Sequence, residues 1–312
     1  MSHIYDLSNV NLLQPSIITI GMFDGVHRGH QHLVQRLVGE SHADNRLAVA
    51  LTFFPHPDVV LRGISGRYYL STADERAERL LNLGVDYVVT HPFNDETRQV
   101  RAAAFVDEMI RYLKMDRLWV GADFALGYKR EGDVPYLRQQ GEEKGFSVQV
   151  VDMVRTPDFE RPISSTIIRG LVEAGKVGEA RELLGRGYTV SGEVVHGKKR
   201  GRAIGFPTAN LDVWEQQLIP ANGIYAGWAW LNDERFMALI NVGISPTFNN
   251  KAITVEAYLL DFDRDIYGQK LTISFEKYLR PEARYDSLQG LIEQINRDVE
   301  QGRAYLASLE RG

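Results

Sequence analysis

Along the first half of the chain, short apolar runs alternate with longer stretches whose apolar positions recur at helical spacing. Ser16–Ile20 is a β-branched run that ends at Gly21, and after a turn Leu33, Leu37 and Val38 predict a helix over about 27–41. Leu47–Phe53 reads as a second strand, stopped by Pro55 and Pro57. The same reading predicts helices over Thr72–Leu83, Ala102–Lys114 and Val134–Lys144, the first capped by Ser71 or Thr72. Strands are predicted over Tyr87–Thr90, Arg117–Val120 and Ser147–Val151. Near-continuous apolar strands separated by helices predict a doubly wound parallel sheet covered on both faces.

The pattern then changes. Ser165–Leu184 is helical, and Gly170, Gly175 and Gly178 divide it into two short helices. Beyond Gly187, strands are predicted over Tyr188–Val195, Tyr225–Leu231, Phe236–Val242, Thr254–Leu260 and Lys270–Tyr278, with turn residues between them and no helix before Ser287–Glu310. This predicts an antiparallel β-barrel with a C-terminal helix. The boundary falls near Arg186, giving expected domains of 1–186 and 187–312. A length of 312 residues with 44% hydrophobic residues suits two cores.

The formal net charge of −5 leaves no basic footprint, so no nucleic-acid partner is expected. Any site for a polyanion must gather positive charge locally. No cysteine is present, which excludes disulfides, zinc–cysteine sites and thiol nucleophiles and fits a reducing, cytoplasmic setting. Met1–Gln14 lacks the basic start and apolar run of a signal peptide, and no apolar run is long enough to span a membrane, so no membrane partner is expected. The sequence leaves the oligomeric state open.

Candidate chemistry lies first in Gly21-Met-Phe-Asp-Gly-Val-His-Arg-Gly-His30, between the first strand and the first helix. An open parallel sheet binds its ligands at such junctions. His27 and His30 lie three apart at a helix start, where free N–H groups and the helix dipole favour an anion. Gly29 lets phosphate approach the backbone, and two imidazoles can donate hydrogen bonds to charge building on an α-phosphate or a leaving pyrophosphate. Solvated helix residues are the alternative. Late in the same region, Ile163-Ser-Ser-Thr-Ile-Ile-Arg169 offers hydroxyl and N–H donors at Ser164, Ser165 and Thr166 and a bidentate fork at Arg169. Taken alone, Ser-Ser-Thr is a helix cap. Gly192–Lys199 approaches a P-loop but lacks the final Ser or Thr, and Gly185–Val190 lacks the third glycine of a dinucleotide fingerprint.

The His-x-Gly-His turn followed by Ser-Ser-Thr-x-x-Arg resembles the nucleotidyltransferase superfamily. Thr52-Phe-Phe-Pro-His-Pro57 and Val120-Gly-Ala-Asp-Phe-Ala-Leu-Gly127 resemble the flavin adenylyltransferase module of bacterial bifunctional riboflavin kinase/FAD synthetases. The resemblance implies nucleotide contacts at Gly21, Phe23, Asp24, Gly25, Gly29, Ser164, Ser165 and Thr166, with His27, His30 and Arg169 catalytic. It implies flavin or adenine contacts at Phe53, Asp123, Phe124 and Leu126, where Asp123 holds a phosphate-bound metal or a substrate hydroxyl; ordinary core phenylalanines and a loop-capping aspartate are the alternatives. Many members of the family carry a second phenylalanine where this chain has Leu126, which lacks a stacking face, so weaker flavin binding is expected there.

In the second domain, Gly201-Arg-Ala-Ile-Gly-Phe-Pro-Thr-Ala-Asn-Leu211, with Gly192 and His196-Gly197, resembles the riboflavin kinase signature of a Gly-rich loop followed by Pro-Thr-Ala-Asn. Glycines let such a loop fold over phosphates, and Lys198, Lys199, Arg200 and Arg202 supply the local positive charge. Gly197, Arg202, Gly205, Thr208 and Asn210 are the expected nucleotide contacts, with Thr208 and Asn210 as hard oxygen ligands for Mg²⁺ bridging ATP phosphates. The resemblance gives the catalytic carboxylate as Glu256 in Thr254-Val-Glu-Ala-Tyr258. Strand alternation puts Glu256 on the face opposite Val255 and Ala257. Pointing inward it is a buried base beside the riboflavin 5′-hydroxyl; pointing outward it is a solvated strand residue. Asn241–Phe248, Asp265–Gly268 and Leu279-Arg280 match further landmarks of the family, and Arg280 is a flavin or phosphate contact or else an ordinary ion pair.

The implied activity is ATP- and Mg²⁺-dependent phosphorylation of riboflavin to FMN, then adenylylation of FMN to FAD with release of pyrophosphate. Three alternatives stand beside it: a riboflavin kinase whose first domain has lost FAD synthesis, a non-catalytic flavin- or nucleotide-binding regulator, and a nicotinamide- or pantetheine-type adenylyltransferase.

Overall fold

The computed structural model describes residues 1–151, 163–197, 201, 204–246 and 251–311. Their contacts divide the chain into two compact units, one of Met1–Ser65 with Ser71–Ser165 and one of Gly66–Leu70 with Thr166–Gly312.

The first unit runs β1 (Ser2–Tyr5), β2 (Ser16–Ile20), α1 (Arg28–Ala43), β3 (Leu47–Phe54), α2 (Pro57–Arg62), α3 (Ala73–Asn82), β4 (Tyr87–Pro92), α4 (Ala102–Leu113), β5 (Met115–Val120), the short hairpin β6 (Ala125–Leu126) and β7 (Gly132–Asp133), α5 (Val134–Lys144) and β8 (Ser147–Val150). The six long strands form one parallel sheet in the order β1-β4-β3-β2-β5-β8. All five residues of β2 are buried, as its continuous β-branched run demands of a central strand covered on both faces. One face packs Ile18, Ile20, Val49 and Leu51 against Phe105, Val106 and Met109 of α4. The other packs Ala50 and Val88 against Val34 of α1 and Ala77 and Leu80 of α3. Helix α3 begins in a capping box, with Thr72 and Glu75 satisfying each other's backbone N–H. Strand order reverses between β2 and β5, so the crevice for a ligand lies above the carboxyl ends of those two strands.

The second unit holds α6 (Ser165–Glu173), α7 (Val177–Leu184), β9 (Tyr188–Val195), β10 (Ala209–Val213), β11 (Gly223–Leu231), β12 (Glu234–Pro246), β13 (Lys251–Leu259), β14 (Lys270–Arg280) and α8 (Leu288–Glu310). The strands close into an antiparallel barrel in the order β10-β13-β12-β11-β14-β9. Val190, Tyr225, Ile240, Ala257, Ile273 and Phe275 are buried inside it. Helix α8 covers part of the outer wall, where Leu306 packs with Ala226 and Trp228. Gly302 of α8 makes that fit possible, because a Cβ there would lie 3.0 Å from Leu239 and 3.5 Å from Ala226.

The predicted parallel sheet and barrel are both present, as are the two short helices before the barrel. Four strands were not predicted: β1, β10 and the two-residue strands β6 and β7 of the short hairpin. Edge strand β1 reads Ser-His-Ile-Tyr and has no apolar run to announce it. β10 follows directly on the Gly-rich loop, and its alternation of Ala209, Leu211 and Val213 is too short to stand out. Asn210, for which no element was predicted, thus lies on a strand.

Candidate functional site

The loop from Gly21 to His27 leaves the carboxyl end of β2 and enters α1. Gly25 has φ 77°, where glycine is at ease, but Phe23 (47°) and Val26 (41°) hold the same left-handed region. That conformation costs a bulky residue about 1–3 kcal/mol and persists only where its surroundings over-determine it. A buried polar network does so. The Asp24 carboxylate accepts hydrogen bonds from Ser71 N at 3.2 Å and Ser71 Oγ at 3.3 Å, and faces Arg76 Nη2 at 3.7 Å. Ser71 Oγ accepts the Gly25 N–H at 3.2 Å, and Arg76 Nη1 donates to Thr52 Oγ1 at 3.2 Å. Thr52 Oγ1 in turn donates to Met22 O at 3.1 Å. Asp24, Thr52, Ser71 and Arg76 have no exposed surface.

His27 caps α1, its Nδ1 accepting the His30 N–H at 3.3 Å. The two imidazoles stack with centroids 3.6 Å apart and planes within 17°. Phe23 meets the His30 ring edge-on at 5.2 Å. Burial pushes the His30 pKa well below its ordinary value, and the charges of His27 and Arg76 push it the same way. His30 is therefore a neutral imidazole at pH 7, able to donate from one nitrogen; its Nδ1 is buried with no partner among the described residues. The Ser164–Thr166 segment reaches this loop through Ser165, whose Oγ donates to Asp24 O at 2.9 Å. Gly21, Phe23, Asp24, Gly25, His27, Gly29, His30 and Ser165 thus gather around one helix N-terminus. Arg169, on the next turn of α6, is 9% exposed, donates from Nε to Tyr68 O at 2.9 Å and stacks 4.0 Å over the Tyr68 ring. Thr166, Arg169 and Tyr68 all belong to the second unit.

The predicted flavin contacts of the first unit come from three places along the chain. Phe53, the next-to-last residue of β3, lies beside Phe93 at 5.9 Å and Phe105 at 6.0 Å. Phe124 follows β5 and is half-buried against the same core, and Leu126, in β6, is buried in it. Asp123 is exposed, and its carbonyl accepts from Arg130 Nη2 at 2.8 Å.

In the second unit, register decides where Glu256 points. Ala226 and Leu239 meet α8, so they face out of the barrel, and by alternation Asn241 faces out with Leu239. Asn241 pairs directly with Glu256, and Glu256 with Asn210, so the three share the outer wall in one row across β12, β13 and β10. Neither expected orientation describes the result. Glu256 points outward yet is only partly exposed. The cause is the Gly-rich loop, which lies over β13: Phe206 meets Tyr258 edge-on at 5.4 Å, and Thr208 Oγ1 donates to Glu256 Oε2 at 3.2 Å. At Gly197 a Cβ would fall 2.2 Å from Asn210 Nδ2, so only glycine lets the loop approach that amide. Gly205 turns the loop with φ 88°. Arg202, with Lys198, Lys199 and Arg200, lies outside the described residues. Arg280 gives its Nε and Nη2 to Asp298 at 2.7–3.0 Å, an ion pair tying β14 to α8. A cleft of about 550 Å³ lined by Trp228, Trp230, Arg235 and Glu276 contains none of the predicted residues.

No site role was legible for four of these residues: Thr52 and Asn241 stood out only as members of motifs, Ser71 only as a candidate helix cap, and Arg76, which carries no periodic signal, not at all.

A parallel-sheet unit with a glycine- and histidine-bearing turn at a helix N-terminus, joined in sequence to a barrel with a carboxylate under a Gly-rich loop, fits a two-domain nucleotide-dependent transferase. The family model for FAD synthetase matches residues 10–167 and that for riboflavin kinase matches residues 184–306. The bifunctional riboflavin kinase/FMN adenylyltransferase of Listeria monocytogenes is 38% identical over 94% of this chain and 93% of its own. Those of Bacillus subtilis (30%, covering 95% and 94%) and Escherichia coli K12 (36%, covering 90% and 90%) are similar along comparable lengths. The chain belongs to the bifunctional riboflavin kinase/FMN adenylyltransferase family. A solved structure described as a macrolide-efflux protein from Streptococcus pneumoniae superimposes with a TM-score of 0.87 at 27% identity, covering 97% of this chain and 99% of its own. Among the described residues here, no helix is long and apolar enough to cross a membrane.

Proposed function

We propose that the barrel unit phosphorylates riboflavin to FMN, that the parallel-sheet unit adenylylates FMN to FAD, and that ATP is the donor in both steps. The observation that carries the kinase assignment is the Thr208–Glu256 hydrogen bond within the Asn210–Glu256–Asn241 row. Glu256 accepts the proton of the riboflavin 5′-hydroxyl as its oxygen bonds to the γ-phosphorus of ATP, and the bond from that phosphorus to the bridging oxygen breaks to release ADP. Gly197, Arg202 and Gly205 belong to the loop over the nucleotide, and Arg280, its fork held by Asp298, to the wall of the flavin site. Thr208 and Asn210, with the Glu256 carboxylate beside them, form a hard-oxygen set of the kind Mg²⁺ accepts, and the ion when bound would neutralise phosphate charge.

In the second step a phosphate oxygen of FMN attacks the α-phosphorus of ATP and pyrophosphate leaves. Gly21–Gly29, Ser164, Ser165 and Thr166 bind the triphosphate, His27 and His30 donate to its growing negative charge, and Arg169 binds phosphate by its place in the same motif. Phe53, Asp123, Phe124 and Leu126 receive the flavin. We assign functional domains of 1–186 and 187–312 and a cytoplasmic setting, where ATP is available. Incubation with riboflavin, ATP and Mg²⁺, with riboflavin, FMN and FAD resolved over time, is expected to give FMN followed by FAD. FMN alone would indicate a kinase only, and no product a binding regulator.

A further inference from the structure

The row across the outer wall of the barrel has two flanks. On the β10 flank of Glu256 stand Thr208 and Asn210, the residues next to the Gly-rich loop. On the β12 flank stands Asn241, with Gly243 two residues further on along the same face, where a Cβ would lie 2.8 Å from Glu282 Oε1 and 3.4 Å from Thr254 Oγ1. Directly opposed residues on neighbouring antiparallel strands hold their Cβ atoms about 5 Å apart, so Asn241 and Glu256 reach a common ligand. Asn241 Oδ1 is buried and has no hydrogen-bond partner among the described residues. An amide oxygen left so costs free energy in the unliganded protein, which marks it as an acceptor awaiting a donor.

We propose that Asn241 is a substrate-binding residue of the kinase site that accepts a hydrogen bond from the ribityl hydroxyl next to the one phosphorylated, and so selects a polyol acceptor. The inference rests on the kinase reading above and deepens it. The nucleotide and the flavin alcohol approach Glu256 from opposite flanks: the loop side binds phosphates, and the β12 side holds the vicinal diol. With its Oδ1 accepting from the 4′-hydroxyl, Asn241 brings the 5′-hydroxyl to the Glu256 carboxylate.

Flavin fluorescence reads binding whether or not turnover occurs, and so separates this proposal from the kinase reading. In Asn241→Ala, riboflavin affinity should fall on the order of fivefold to tenfold, the size of one neutral hydrogen bond, with the ATP KM unchanged. Wild type should lose the same factor with 4′-deoxyriboflavin, and Asn241→Ala should not discriminate between the two flavins. Asn241→Leu removes the unpartnered oxygen at similar volume, so its melting temperature should be no lower than that of wild type while riboflavin affinity is lost; a purely structural asparagine would give a less stable protein with normal affinity. Unchanged riboflavin affinity in Asn241→Ala, a raised ATP or Mg²⁺ requirement instead, or undiminished discrimination against the 4′-deoxy flavin would overturn the proposal. Absence of FMN formation by wild type would defeat the kinase reading and leave the binding result to be judged by itself.

Discussion

At the scale of single residues, two contacts bear most on the proposed chemistry. The stacked His27–His30 pair cannot carry two positive charges, and burial keeps His30 neutral. A histidine whose pKa is depressed on folding contributes stability that is fully present above its unfolded value of 6.5 and is lost as pH falls below it. Burial also lowers His3 and His91, so all three act in the same direction. Thermal denaturation between pH 7.5 and 5 should therefore show falling stability, with His30 contributing at most about 1.4 kcal/mol per pH unit. His30→Asn should flatten that dependence; an unchanged slope would mean that His30 titrates normally. The second contact is the fit of Gly197 to the Asn210 amide. Gly197→Ala must displace Asn210, and a displacement near 1 Å costs about a hundredfold in rate. Riboflavin phosphorylation should fall by that order while conversion of supplied FMN to FAD is kept, as product analysis would show.

At the scale of elements, the Gly21–His27 turn is held from below by α3 and β3 rather than by its own sequence. Arg76 faces Asp24 at 3.7 Å with both side chains fully buried. Removing one partner of such a pair leaves a buried charge uncompensated, at a cost of about 3–5 kcal/mol. Arg76→Met should lower the denaturation free energy by that order and slow adenylyl transfer; a loss below about 1 kcal/mol would show that Asp24 is satisfied without Arg76. This support was not legible in the sequence, because buried polar residues on three separate elements leave no periodic trace. The strands of the parallel sheet were legible, since burial on both faces imposes continuous apolar runs. Alternation in Thr254–Tyr258 correctly put Glu256 opposite Val255 and Ala257, but it does not say which wall a loop covers. That information lies in the fold of the Gly-rich loop, whose glycines signalled close approach without naming the surface approached.

At the scale of the whole molecule, each unit has its own core, and the sites proposed above lie at different places in the two folds. In the parallel sheet the proposed site is the N-terminus of α1 above a strand-order reversal. In the barrel it is the outer wall of β10, β13 and β12 under a loop. The motif order read from the sequence matches the order of the two family models, and domain type was legible because strand–helix alternation and consecutive strands are distinct textures. The account's central claim is that the two reactions have separate machinery. It is tested most directly by resolving riboflavin, FMN and FAD in time courses of Asn210→Ala and His30→Ala, each supplied with riboflavin or with FMN. Asn210→Ala should make no FMN yet convert supplied FMN to FAD at the wild-type rate, and His30→Ala should accumulate FMN without FAD; loss of both reactions in either folded variant would contradict it.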